Sequence, residues 1–285
     1  MKTNGLPIYL EMNKGDIVEI HLSSGASKKI MLKDSSRNSI KIEIEGESKI
    51  LSVQDGREAA KLSYCSELSG IRVGLDITKL MLDGMGMDYN MSHLNLKKDA
   101  RIFLQEARLP LTPKNKYTYP VPGLKWENLA LWLNRVDYGF HLGTDIAAPI
   151  GTPIVSVTDG KVVAYREFTP GVDKDDFWGR IICIGGDDGI LYYYCHFDSV
   201  SPAIAKDVPV KKGQALGTLG NTGFGISFKK IKPHLHFQMV KAWQGNMNLG
   251  PISQSRAGLF HAKMTDAFAI NSVPYMLHWY RKTKS

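Results

Sequence analysis

Four of the eight histidines in this 285-residue chain fall in patterns that can do chemistry. In His141-Leu142-Gly143-Thr144-Asp145 an imidazole and a carboxylate stand four positions apart. On a helix that spacing would share one face, but Gly143 and the following Ile146-Ala147-Ala148-Pro149 argue against helix. A bent strand or a loop can still converge the two side chains. His234-Leu235-His236 lies in a strand pattern, with His234, His236 and Gln238 pointing one way and Leu235, Phe237 and Met239 the other. Two imidazoles ~7 Å apart on one face can supply one metal ligand and one neighbouring base. Taken alone, the pattern also fits a pair of exposed strand histidines. The third piece is Tyr192-Tyr193-Tyr194-Cys195-His196-Phe197. Alternation predicts His196 on the face of Tyr192 and Tyr194, with Cys195 on the other. Side chains that face apart cannot hydrogen-bond, so a Cys–His nucleophile pair is disfavoured. Cys195 and Cys183 are expected to behave as small buried apolar residues.

The elements that must position these residues read as short β segments. Arg180 to Ile184 and Ile190 to His196 flank Gly185-Gly186-Asp187-Asp188-Gly189, a hairpin signal. Pro153 to Val157 and Lys161 to Tyr165 flank Thr158-Asp159-Gly160, a second one. Gln214 to Leu219 and His234 to Val240 complete an antiparallel, all-β reading. The most proline-dense stretch, from Leu109 to Gly123, reads as an extended linker and domain entry. Before it, Asp16 to Leu22, Ser39 to Glu45, Lys49 to Val53 and Ala100 to Leu104 have strand character. Ala59 to Cys65 and Ile77 to Leu82 fit short helical turns, with ambiguous periodicity. The expectation is a mainly β protein with a β-rich N-terminal domain at 1–112 and a second domain at 113–285. The first domain shows no catalytic cluster; His21 and His93 stand alone and read as packing or surface residues.

Composition narrows the function classes. With 43% hydrophobic and 22% charged residues the chain can bury enough surface to offset ordering entropy, so disorder is excluded as its main state. No apolar run reaches the ~18–20 residues of a spanning helix, so no integral membrane segment is expected. The start, Met1-Lys2-Thr3-Asn4-Gly5-Leu6-Pro7, shows no signal-peptide core. Three cysteines without CxxC spacing exclude a disulfide framework and a thiolate zinc site. The net charge of +8 is uneven: 16 basic against 15 acidic residues up to Thr112, then 20 against 13. A basic second half favours polyanionic surroundings. No nucleic-acid-binding motif accompanies it, so nucleic acid is not an expected partner.

The three histidine motifs, in this order and set in glycine-rich short strands, resemble the M23 (LytM/lysostaphin-type, duplicated hybrid motif) zinc metallopeptidases. The frame agrees: His141 to Ile154, Asp159-Gly160-Lys161-Val162-Val163, Val210 to Gly217, Gly220-Asn221-Thr222-Gly223, Pro233 to Phe237 and the closing Asn271 to Leu277. The resemblance covers about 120 to 278 and leaves the first ~110 residues unexplained. It implies a LytM-type antiparallel β-sheet domain with one Zn2+ per chain, held by His141, Asp145 and His236. Three N/O ligands and an open fourth position are what a catalytic zinc site requires. His196 and His234 match the family's two non-ligand histidines, placed to take a proton from water and to stabilise charge during attack on a peptide carbonyl.

The implied activity is hydrolysis of peptide bonds in peptidoglycan stems or cross-bridges, outside the cytoplasm, in the periplasm or the extracellular cell envelope. The rival expectations are a silent LytM-type activator of another wall hydrolase and a peptidase for a non-wall protein. The N-terminal domain can position the enzyme, cover its groove or dock a protein partner. Three stretches depart from the family: Glu167 to Trp178, Phe224 to Lys232 and Trp243 to Phe268. Loops around a β scaffold form binding walls, so a remodelled groove is expected. Asp173, Asp175 and Asp176 lack the glycine and distant Glu of a calcium loop and read as solvated. His261 and His278 read as structural.

Overall fold

The computed structural model describes residues 6–52, 65–83, 96–124, 129–130, 143–169, 178–223, 232–242 and 267–282. They fall into two compact units, divided between Lys114 and Asn115. Nearly all regular structure is antiparallel β.

In the first unit β1 (Ile8–Met12), β8 (Ala100–Glu106), β7 (Ile71–Thr78) and β6 (Cys65–Leu68) form one sheet in that order. A second sheet runs β2 (Ile17–His21), β3 (Ser27–Ser35), β4 (Ser39–Ile44) and β5 (Glu47–Ser52). The alternating Ile40, Ile42 and Ile44 of β4 are buried, as the period-2 pattern requires. By contrast, Ile71, Val73, Gly74, Leu75, Asp76, Ile77 and Thr78 of β7 are nearly all buried, and that run carries no alternation to read. Ile77 to Leu82 divides between the end of β7 and the helix α1 (Lys79–Asp83), whose Met81 N–H donates to Thr78 Oγ1 at 3.1 Å. The stretch from Ala59 to Cys65 lies outside the described residues except for Cys65, which opens β6.

One carboxylate of this unit gives a pH prediction. Glu106, 6% exposed, accepts from the Ser23 N–H at 2.7 Å and from Arg108 Nε at 2.8 Å. The Ser23 hydrogen bonds first, then Arg108, hold its carboxyl at about 2 against an ordinary 4.5. A lowered native pKa stabilises the fold above about 4.5, and the gain is lost as pH falls toward about 2. Glu106→Gln is therefore expected to unfold at lower denaturant than the parent at pH 7, the two curves converging near pH 2. Equal midpoints at pH 7 would contradict this.

The second unit is built on an eight-stranded sheet and a three-stranded one. The larger runs β16 (Pro209–Val210), β12 (Gly160–Arg166), β13 (Ile181–Gly186), β14 (Ile190–Cys195), β18 (His234–Ala242), β10 (Thr144–Ala147) and β9 (Leu129–Ala130). The eighth strand, β19 (Ala267–Ile270), pairs with the far half of β18. The smaller sheet is β11 (Pro153–Val155), β17 (Ala215–Leu219) and β15 (Phe197–Val200). The hairpin expected at Gly185 to Gly189 forms, with β13 and β14 in register from Ile181↔Cys195 to Gly185↔Leu191. The one expected at Thr158-Asp159-Gly160 does not: β11 pairs with β17 in the small sheet, and β12 belongs to the large one. Ser156 accounts for the departure, bonding by its N–H to Gln214 O and by its O to Gly213 N, so the chain leaves β11 along the 213–217 segment.

The proline-dense stretch is not the extended linker expected: it forms no strand, turns at Lys114-Asn115 and Pro122-Gly123, and its second half is fastened to this unit. Thr118 N–H donates to Val157 O and Val155 N–H to Pro120 O, each at 2.9 Å. Tyr117 stacks on Trp279 of the C-terminal helix α2 (Val273–Lys282), ring centroids 5.5 Å apart. Trp279 also meets Phe237 of β18, and Phe237 packs between Tyr192 and Tyr194. Phe237 is fully buried, which stabilises the central strand by about 1.5–3 kcal/mol. The same face of β18 that builds the core thus leaves His234 and His236 on the other.

Candidate functional site

Strand pairing brings Asp145, His234 and His236 together. β10 pairs with β18 so that Asp145 lies directly opposite His236 and Ala147 opposite His234. Directly opposed residues share a face, which makes the carboxylate and both imidazoles neighbours. Asp145 Oδ1 is 3.0 Å from His236 Nδ1, and Asp145 Oδ2 is 3.6 Å from His234 Nε2. Asp145 and His236 are each 3% exposed, His196 7% and His234 8%, so these are not the exposed strand histidines that the pattern alone allowed.

His196 reaches the site in a way that alternation did not predict. Tyr192 and Tyr194 pack on Phe237 across the sheet, whereas the His196 ring lies 4.7 Å from His234 and 6.2 Å from His236. The reason is the backbone. β14 ends at Cys195, and His196 takes φ 68°, a left-handed conformation that turns its side chain to the opposite face. Such a conformation costs a non-glycine residue about 1–3 kcal/mol and persists only where its surroundings fix it. Cys195 pairs with His236 and therefore belongs to the site face of the sheet, fully buried. Burial also pushes the Cys183 thiol up, and both cysteines are the small buried residues expected.

The backbone assigns two tautomers. His196 Nδ1 lies 2.8 Å from Thr222 O and His234 Nδ1 lies 2.9 Å from Lys232 O. A carbonyl only accepts, so each Nδ1 carries a proton, and the neutral form of each ring keeps its lone pair on Nε2. Burial, then the neighbouring His234 and His236, hold His196 well below the usual imidazole pKa, so it is neutral at neutral pH. Asp145 and His236 together suit a divalent cation. With the proton on Nε2, His236 Nδ1 and the carboxylate present converging N and O donors, the donor types that bind zinc. The ring is packed against Gly143, where a Cβ would fall 2.7 Å from His236 Cε1 and Nε2 and 2.6 Å from Phe237 O. Gly143→Ala must therefore displace the ring or β18. It is expected to cost about 1–3 kcal/mol and to weaken metal binding, measured by thermal melting and metal titration.

His141 lies outside the described residues, and among those described no group of three His, Cys, Asp or Glu forms a metal cluster. Most of the three divergent stretches also lies outside them; Trp178, at the end of the first, sets its ring edge-on to His236 at 5.2 Å. Thr222, Gly179 and Trp178 are parts of the site that the motifs did not single out. Thr222 stood in the glycine frame, but nothing in the sequence connects it to His196.

Residues 139–248 match the model of Peptidase family M23. The chain is similar to the peptidoglycan DD-endopeptidase ShyB of Vibrio cholerae serotype O1, 34% identical over 100 residues, 35% of this chain and 20% of that protein. It is also similar to the L-Ala--D-Glu endopeptidase of Bacillus subtilis strain 168, 28% identical over 185 residues, 63% of this chain and 52% of that protein. The catalytic domain of lysostaphin from Staphylococcus simulans overlays with a TM-score of 0.34 at 22% identity, covering 57% of this chain and 89% of that one. The chain spans from a fifth to about half of the length of these two curated relatives.

Proposed function

We propose that this chain, whose residues 139–248 match the model of Peptidase family M23, is a zinc metalloendopeptidase of that family that hydrolyses peptide bonds in peptidoglycan stems or cross-bridges. The observation that carries the reading is the β10–β18 register, which sets Asp145 against His236 with the imidazoles of His196 and His234 beside them. His141, Asp145 and His236 would hold one zinc ion, which supplies a Lewis acid for the scissile carbonyl and its developing oxyanion. His196 and His234 do the proton work. Each has its Nδ1–H fixed on a main-chain carbonyl and its Nε2 available to accept a proton from the attacking water and return it to the leaving amine. Burial keeps His196 unprotonated and ready to accept at neutral pH.

The relative named as a peptidoglycan DD-endopeptidase supports the substrate class, and the basic second half suits an anionic envelope polymer. We place the peptidase domain at 113–285, working in the periplasm or extracellular envelope, and a β-rich domain of unassigned role at 1–112. No helix among the described residues is long and apolar enough to cross a membrane. Digestion of purified sacculi, read by mass spectrometry, tests the function: new stem-peptide or cross-bridge ends are expected. Protein carrying stoichiometric zinc that leaves the sacculi unchanged would overturn it in favour of a silent activator.

A further inference from the structure

We infer that Thr222 is a positioning residue that holds His196 in its working tautomer and direction, an assignment that rests on the proton-accepting role given to His196 above. His196 follows the last residue of β14 in a left-handed conformation, so no ladder of strand hydrogen bonds fixes its ring. Its constraints come from Thr222 and the segment beside it. The Thr222 carbonyl accepts the His196 Nδ1–H at 2.8 Å. The Thr222 hydroxyl donates to Phe197 O at 2.9 Å and accepts from the Arg180 N–H at 3.0 Å. Phe197 is the residue after His196, and Arg180 immediately precedes the neighbouring strand β13, so one buried hydroxyl ties the chain just after His196 to the segment beside it. The His196 N–H is held by Trp178 O at 3.2 Å. Between Trp178 and Arg180 stands Gly179 at φ 63°, where a Cβ would collide with Thr222 O, C and Oγ1. The close approach of the two segments is therefore built into the chain at both ends.

This arrangement gives the threonine two separable functions. Its carbonyl sets which His196 nitrogen carries the proton, and any residue at 222 has a carbonyl. Its hydroxyl fixes where that carbonyl stands, and only serine or threonine can supply that. Thr222→Val keeps the branched shape and removes the hydroxyl; Thr222→Ser keeps the hydroxyl.

Two measurements test the inference, one of them independent of substrate. In histidine-labelled parent protein at neutral pH, nitrogen NMR is expected to show His196 as the Nδ1–H tautomer, and in Thr222→Val a mixture. On sacculi, Thr222→Val is expected to lose about 10-fold or more in kcat, with KM within about 2-fold and zinc content unchanged. Thr222→Ser is expected to recover most of that loss. A parent His196 protonated on Nε2 overturns the inference even where the valine variant does not fold. So does a valine variant with parental kcat and tautomer. If parent sacculus activity is absent while the tautomer shift is present, the peptidase reading fails and the positioning of His196 by Thr222 stands.

Discussion

Asp145→Ala is expected to lose zinc and peptide hydrolysis together. The carboxylate is 3% exposed and faces His236 Nδ1 at 3.0 Å and His234 Nε2 at 3.6 Å, so it sits at the centre of the cluster. Its removal takes the sole anionic oxygen donor from the three residues assigned to the metal. The remaining imidazoles are neutral donors without charge to offset a divalent cation in a buried site. The loss of affinity is expected to exceed the ~10–100-fold typical of removing an outer-shell partner. Asp145→Asn keeps the shape and loses the charge, and is expected to behave similarly. Metal content after gel filtration and sacculus turnover, measured on one preparation, check the pairing of the two losses. An Asp145→Ala protein that retains zinc at one per chain would remove Asp145 from the ligand set.

His234→Ala separates chemistry from metal binding. This imidazole stands on the same strand face as His236, but its Nδ1–H is fixed on Lys232 O and its Nε2 faces the site. A proton acceptor at that position is worth about 10²–10⁴ in turnover. The variant is therefore expected to keep most of its zinc and to fall by that factor in kcat. His236→Ala is expected to lose the metal. If His234→Ala abolished zinc binding and His236→Ala did not, the two roles would be exchanged.

The pattern of residues carried the β18 part of the site well. Alternation along His234 to Met239 correctly separates the histidine face from the Phe237 face, because a strand flanked by β14 on one edge and β10 then β19 on the other keeps a strict period of two. The same rule fails at His196, one residue past the end of β14, where a left-handed backbone replaces the strand. The motif reported that His196 belongs with the others, but only the backbone explains how. Asp145 opposite His236 is a long-range register, and no local signal encodes which strand β10 meets. The Thr158-Asp159-Gly160 signal misleads for a related reason, since the turn chemistry is present but tertiary pairing takes β11 into the other sheet. Burial on both sides of β7 erases the alternation of buried and exposed residues that marks a half-buried strand.

The most direct test of the central claim is the release of new amino groups from purified sacculi by one protein preparation in three states. These are as isolated, after chelation, and after chelation with zinc restored. If Asp145, His196, His234 and His236 form a metal-dependent peptide hydrolase, release is expected in the first state, lost in the second and recovered in the third. Release that survives complete chelation would contradict a metal-dependent site, and no release in any state would contradict a wall endopeptidase.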